Sequence, residues 1–231
     1  MRLLHTSDWH LGRTLCATDL ASAHASALDQ ICRLVEAPAD GIPIDAVLVA
    51  GDVFDRGVPA VESMELLEAT LERLVRHTHV IVTSGNHDSA RRLGFGSQLF
   101  RERLHFVTDV DLVDRPVVIT GSDGVPVAVY AFPYLEPEHA SARLAVDGVA
   151  PARSHEAIMT AAMERVRADL AERPATRAVV MAHAFVTGAA ATTQSERSIA
   201  VGGIECVPVE CFADIDYVAL GHLHRPQRVP R

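Results

Sequence analysis

No stretch of about 18 uncharged apolar residues occurs in this chain, so no membrane-spanning helix is expected of it. Nor does it open on a signal-peptide apolar region, because Met1-Arg2-Leu3-Leu4 runs straight into His5 and Asp8. Cysteine is scarce: Cys16, Cys32, Cys206 and Cys211 form no CxxC pair. That excludes a thiolate zinc knuckle and leaves the reduced thiols of a cytoplasmic protein. Positive charge is not in excess either. The net charge is −9, which argues against a chain that coats nucleic acid by overall charge. Bound divalent cations would neutralise several of those acids, so the formal charge overstates the field near them. There is no internal repeat and no low-complexity tract. What is present is ordinary globular composition, 231 residues with 48% apolar and 22% charged, which suits one α/β domain over residues 1–231.

Short apolar runs at residues 2–6, 44–50, 80–83, 178–182 and 217–220 each have turn residues behind them, the pattern of buried strands. Between the first two, Leu20, Ala23, Ala27, Leu28, Ile31, Leu34 and Val35 recur at helical spacing, with Asp19 as the expected N-cap. Val61, Met64, Leu67, Leu71, Leu74 and Val75 repeat the spacing between the second and third. Ile158, Ala162, Val166 and Leu170 mark a further helix, closed by Pro174. Such alternation builds right-handed crossovers and a largely parallel core. Residues 117–120 and 126–132 flank Gly121-Ser122-Asp123-Gly124, a hairpin signature. The expected architecture is a layered αββα sandwich of two mixed sheets flanked by helices.

Five segments place metal-binding side chains directly after these runs: Asp8 and His10; Asp52 and Asp55; Asn86, His87 and Asp88; His183; and His222 with His224. In open α/β folds, ligands bind beyond the carboxyl ends of strands, so segments far apart in sequence can converge there. Asp8 and His10 alternate by two, as do His222 and His224, and an extended chain would aim each pair one way. Carboxylate, amide and imidazole donors without thiolate suit Mn²⁺, Fe or Zn²⁺ better than Ca²⁺. Asp52 is the natural bridge of two ions, a pairing that activates water and stabilises both oxygens of an in-line displacement. His87, beside the ligand Asn86, is the candidate to protonate a leaving alkoxide or steady a phosphate. Its other nitrogen then needs an orienting partner, for which Asp55 is the first candidate and Asp88 the second. Asp88 reads equally well as a cap for the following helix. His5, His24, His77, His79, His105, His139 and His155 lack such company and are read as surface or core histidines.

These motifs resemble the calcineurin-like metallophosphoesterases. Gly51-Asp52-Val53-Phe54-Asp55 and Gly85-Asn86-His87-Asp88 mark the superfamily. The opening His5-Thr6-Ser7-Asp8-Trp9-His10-Leu11-Gly12 and the late Asp216-Tyr217-Val218-Ala219-Leu220-Gly221-His222-Leu223-His224-Arg225-Pro226-Gln227 resemble its SbcD nuclease branch. The resemblance implies one metal on Asp8, His10, Asp52 and His224, a second on Asp52, Asn86, His183 and His222, and a catalytic His87. It also implies two Mn²⁺ ions, DNA cleavage as exonuclease and single-strand endonuclease, and a homodimer partnered by an SbcC-like ATPase. Asp55 falls where related phosphatases pair an Asp with the catalytic His, and Arg56 where they bind phosphate. The branch continues with further strands, a DNA-capping domain and an SbcC-binding segment, whereas this sequence stops seven residues after His224. The expectation is thus a catalytic domain with its last strands missing. Arg91 and Arg92 are candidate phosphate contacts, Arg101 and Arg103 more distant ones, with a solvated helix face as the plain alternative. The polar loop at 187–203, after His183, is expected to shape the substrate groove. A small-molecule or cyclic-nucleotide phosphodiesterase, a protein phosphatase and a non-catalytic scaffold remain open.

Overall fold

The structure is a computed structural model and describes residues 1–99, 102–173, 176–187 and 206–229. Its strands and helices run β1 (Leu3–Thr6), β2 (Thr14–Leu15), β3 (Thr18–Asp19), α1 (Ala21–Glu36), β4 (Ala46–Ala50), α2 (Val61–Val75) and β5 (His79–Thr83). There follow α3 (Ala90–Leu93), β6 (Leu104–Val107), β7 (Val117–Thr120), β8 (Pro126–Ala131), α4 (Pro137–Arg143) and α5 (His155–Ala171). The chain then forms β9 (Arg177–His183), β10 (Phe185–Val186), β11 (Cys206–Val207) and β12 (Tyr217–Gly221). One four-stranded sheet has the order β1-β4-β5-β6 and is parallel throughout. The other has the order β12-β9-β8-β7, with β7 antiparallel to β8 through the hairpin expected at residues 121–124.

Side-chain alternation shows why the layers stack as they do. Along β4, Val47 and Val49 join the cluster that holds α1 and α2, while Ala46, Leu48 and Ala50 join a second cluster between the sheets. Along β9, Val179 and Met181 face that inner cluster, and Ala178, Val180 and Ala182 face the α5 cluster with Ile158, Met163 and Val166. Strands apolar on both faces need a layer on each side. The αββα sandwich follows directly from that alternation.

Local details depart from the sequence expectation in two places. The first helix begins at Ala21, flanked by Leu20, yet the Asp19 carboxylate still accepts the Ala21 N–H at 2.8 Å. β6 carries His105 near its centre and was not marked by any periodicity; its register against β5 supplies the pairing that propensity does not. The helix-closing role of Pro174 lies outside the described residues.

Two predictions arise from these layers. Met181 is fully buried between the sheets, so Met181→Ala should cost about 2–5 kcal/mol in urea unfolding. The rings of His79 and His105 stack at 6.0 Å, and a nitrogen of each is buried without a hydrogen-bond partner. Burial first, then the charge of Arg103 on His79 and of His79 on His105, lowers both pKa values from 6.5. The unfolded chain therefore binds protons more readily. Their contribution is complete above pH 6.5 and is lost as the pH falls from there through the folded-state values. A His79→Phe/His105→Phe double variant should lose less Tm than the parent between about pH 7.5 and 5.5; an equal loss would rule out this pair as the origin.

Candidate metal centre

The carboxyl ends of β1, β4, β5, β9 and β12 meet at one edge of the sandwich. Backbone hydrogen bonds zip the first two loops together: Asp8 N–H to the Gly51 carbonyl, His10 N–H to Asp52 and Leu11 N–H to Val53, all at 3.0 Å. Asp8, His10, Asp52 and His222 each have positive φ, at 55°, 43°, 48° and 90°. The extended alternation expected of Asp8 with His10, and of His222 with His224, is therefore not how these pairs converge. Left-handed turns aim them instead, and Trp9 between the first pair turns into the core. Such conformations cost about 1–3 kcal/mol each and persist only where neighbours over-determine them. Two glycines make the close approach feasible. A Cβ on Gly85 would fall on the Asp52 carboxylate, and one on Gly221 on the Ala50 carbonyl oxygen.

Two donor sets result. In the first, His10 Nε2 lies 3.0 Å from His224 Nε2 and 3.7 Å from Asp52 Oδ2, and His224 Nε2 lies 3.5 Å from Asp8 Oδ1. In the second, His183 Nε2 lies 3.0 Å from Asn86 Oδ1, 3.2 Å from Asp52 Oδ2 and 3.3 Å from His222 Nδ1. Asn86 Oδ1 is also 3.3 Å from His222 Nδ1. Donors bound at 2.0–2.2 Å to one ion stand about 3.0–3.6 Å apart; the second set falls within that spacing, and the first does so except for the 3.7 Å from His10 to Asp52. One oxygen, Asp52 Oδ2, belongs to both. Its partner Oδ1 is pinned by the His87 N–H at 2.9 Å.

The electrostatics fit cations. His183 Nδ1 donates to the Ala50 carbonyl at 3.0 Å, so in the neutral ring its Nε2 lone pair faces the Asp52 and Asn86 oxygens and the His222 nitrogen. Such a convergence of lone pairs calls for a proton or a metal ion at its centre. Burial opposes charge on His183, but the Asp52 carboxylate raises its pKa to about 8. Burial likewise works against ionised Asp52, yet the His183 hydrogen bond and charge, the His87 N–H and the charge of His10 bring it to about 2. Burial, with histidine neighbours adding to it, lowers His10 and His222 to about 4. Both are thus neutral donors near pH 7, the form a metal requires. Asp8, pushed up by burial, is drawn below the usual carboxylate range by His224, the charge of His183 and the Ser7 hydroxyl.

The remaining sequence candidates take distinct places. His87 Nδ1 donates to the main-chain carbonyl of Asp55 at 2.9 Å, and its ring stands edge-on to His10 at 4.8 Å. The Asp55 carboxylate lies 3.5 Å from His10 Nδ1 and 3.9 Å from both Arg13 Nε and Arg56 Nε. Asp88 neither caps α3, whose N-cap is Ser89, nor presents an open carboxylate. It accepts the N–H groups of Val53 at 3.0 Å, Phe54 at 2.8 Å and Gly85 at 2.9 Å. It braces the β4 loop against the β5 loop, a task different from the helix cap and from the His87-orienting role that the sequence offered for it. Arg92 bonds the Gly57 carbonyl at 2.9 Å, while Arg56 and Arg91 are exposed. Arg13 and Tyr134 were not singled out from the sequence. Arg13 sits in the Asp8 loop, a signal that could have found it. Tyr134, whose ring is 6.2 Å from that of His183, follows β8 in a loop without metal donors. Arg101 and, apart from Thr187, the stretch at 187–203 expected to shape the groove lie outside the described residues.

Asp88 generates a test. Asp88→Ala would strand three N–H groups at buried or nearly buried positions, each worth about 1–3 kcal/mol. A loss of about 3 kcal/mol or more is expected in denaturant melts, and unchanged stability would contradict the brace.

Comparison with known proteins agrees with this geometry. A family model described as calcineurin-like phosphoesterase matches residues 1–226. The chain is also similar to the SbcD subunit of the SbcCD nuclease of Rhodobacter capsulatus, 34% identical over 246 aligned positions that cover 98% of this chain. The chain spans 58% of that relative's length. With a match across nearly its whole length, and with the donor sets of a metal centre at the strand ends, this chain belongs to the calcineurin-like phosphoesterase family.

Proposed function

We propose that this chain is the catalytic domain of a Mn²⁺-dependent DNA nuclease, a 3′→5′ exonuclease and single-strand endonuclease of DNA repair and recombination. It would work with an SbcC-like ATPase and, in the full-length protein, as a homodimer in the cytoplasm. The observation that carries the hydrolase reading is Asp52 Oδ2, 3.2 Å from His183 Nε2 and 3.7 Å from His10 Nε2, shared by two metal-spaced donor sets. That the Rhodobacter relative is named a nuclease supports a nucleic-acid strand over other phosphodiesters.

Two divalent cations held by these sets would supply Lewis acidity toward the phosphate and lower the pKa of an attacking water. The chain's own groups do the rest. Because Nδ1 of His87 is committed to a carbonyl oxygen, Nε2 is the nitrogen that gives up or takes a proton. It is the group assigned to protonate the leaving oxygen. Arg56 and Arg91, both exposed, and Arg92 are assigned to the phosphates of the strand; Arg92 also ties α3 to the loop at Gly57.

The test is cleavage of end-labelled single- and double-stranded DNA with Mn²⁺, beside a chromogenic phosphodiester. His87→Ala should keep its metal and lose about 10²–10⁴-fold in rate, whereas Asp52→Ala should lose both. Turnover of the small diester alone would favour a small-molecule or cyclic-nucleotide phosphodiesterase, and native-rate cleavage by His87→Ala would remove the proton-donor assignment.

A further inference from the structure

Histidines that ligate a metal through one nitrogen nearly always donate the other N–H to a carbonyl or carboxylate, which fixes the tautomer and raises basicity. His183 does so through Nδ1 and the Ala50 carbonyl. His10 differs from His183 in this respect. Its Nε2 faces the first donor set, while its Nδ1 is buried with no hydrogen-bond partner. Such a nitrogen costs free energy unless something comes to meet it.

Asp55 stands where that partner is needed. Its Oδ1 is 3.5 Å from His10 Nδ1, against the roughly 2.8 Å of a charge-assisted bond. The backbone cannot drift away. The His10 N–H holds the Asp52 carbonyl at 3.0 Å, and the Asp55 N–H holds the Leu11 carbonyl at 3.2 Å. Arg13 and Arg56, each 3.9 Å away, supply positive charge around the carboxylate without taking its place at His10. His87 meanwhile draws on Asp55 through the main-chain carbonyl, a contact that any residue at this position can make.

We infer that Asp55 is a positioning residue for His10: its carboxylate takes the His10 Nδ1–H and presents Nε2 as a neutral, basic donor to the first metal ion. This rests on the two-metal reading above and moves the side chain's task from His87 to the metal centre. One residue then serves both histidines, by its carbonyl for His87 and by its carboxylate for His10.

The experiment is titration of the metal-free protein with Mn²⁺, followed by electron paramagnetic resonance and calorimetry at fixed pH. The parent should bind two ions. In Asp55→Ala one site should weaken about 10–100-fold while the other keeps its affinity. Asp55→Asn should recover most of the loss, since its amide oxygen still accepts the Nδ1–H. Should Asp55→Ala fail to fold, Asp55→Ser makes the same test with a side chain too short to reach His10. Unchanged binding of both ions in Asp55→Ala or Asp55→Ser would overturn the inference, as would an equal loss at both sites that Asp55→Asn does not restore. A parent chain that binds no Mn²⁺ would instead overturn the two-metal reading itself.

Discussion

The Asp52 carboxylate is buried at the end of a fully buried strand, a position where burial alone would keep it protonated. It stays ionised because the protein surrounds it with compensation: His183 and His10 on Oδ2 and the His87 N–H on Oδ1. Most of the site can be read as the consequence. His183 must come from β9 and His10 from the β1 loop, so the two sheets must end together. Gly85 must lack a Cβ for the β5 loop to lie against the same carboxylate. Removing any one of these leaves a buried charge short of a partner, which is costlier than never having placed it there.

That constraint also explains why the sandwich and the site are one design. Asp8, His10, Asp52 and Asn86 come from the first sheet, and His183, His222 and His224 from the second. Each donor set draws on both sheets, so an ion held there would bolt one to the other at the carboxyl edge, above the inner cluster of Leu48, Ile81, Val129 and Met181. His5 and Tyr217 make a second tie, at 3.0 Å, between β1 and β12 at the sheet edges. Left-handed backbone at Asp8, His10, Asp52 and His222 is the strain that such convergence demands; hydrogen bonds between the first two loops hold the first three, and the His222 N–H on the Asp8 carboxylate holds the fourth.

Much of this was legible in the sequence. The seven donors follow apolar runs, and the position of a donor after a buried strand is a topological fact that a periodicity can reveal. The two-faced apolar character of residues 46–50 and 178–182 likewise implied layers on both sides. Rotamers and loop pairing were not legible. The register between residues 8–11 and 51–55 decides that the Asp55 carboxylate lies toward His10 while its carbonyl serves His87, and no spacing encodes that register. Asp88 looked like a helix cap or an orienting partner of His87 because its neighbours in sequence suggested so. Two of its three partners, Val53 and Phe54, are 35 and 34 residues away. β6 escaped notice since four residues with a His among them carry too little pattern, and its identity comes from β5.

The central claim is that Asp52 Oδ2 is the shared ligand of two metal ions. It is tested most directly by anomalous diffraction from crystals of this chain soaked in Mn²⁺. Two anomalous peaks roughly 3.5–4 Å apart are predicted, one beside His10 and His224, the other beside His183 and His222, with Asp52 between them. A single peak, or a pair of peaks that leaves Asp52 without contact to either, would contradict the account.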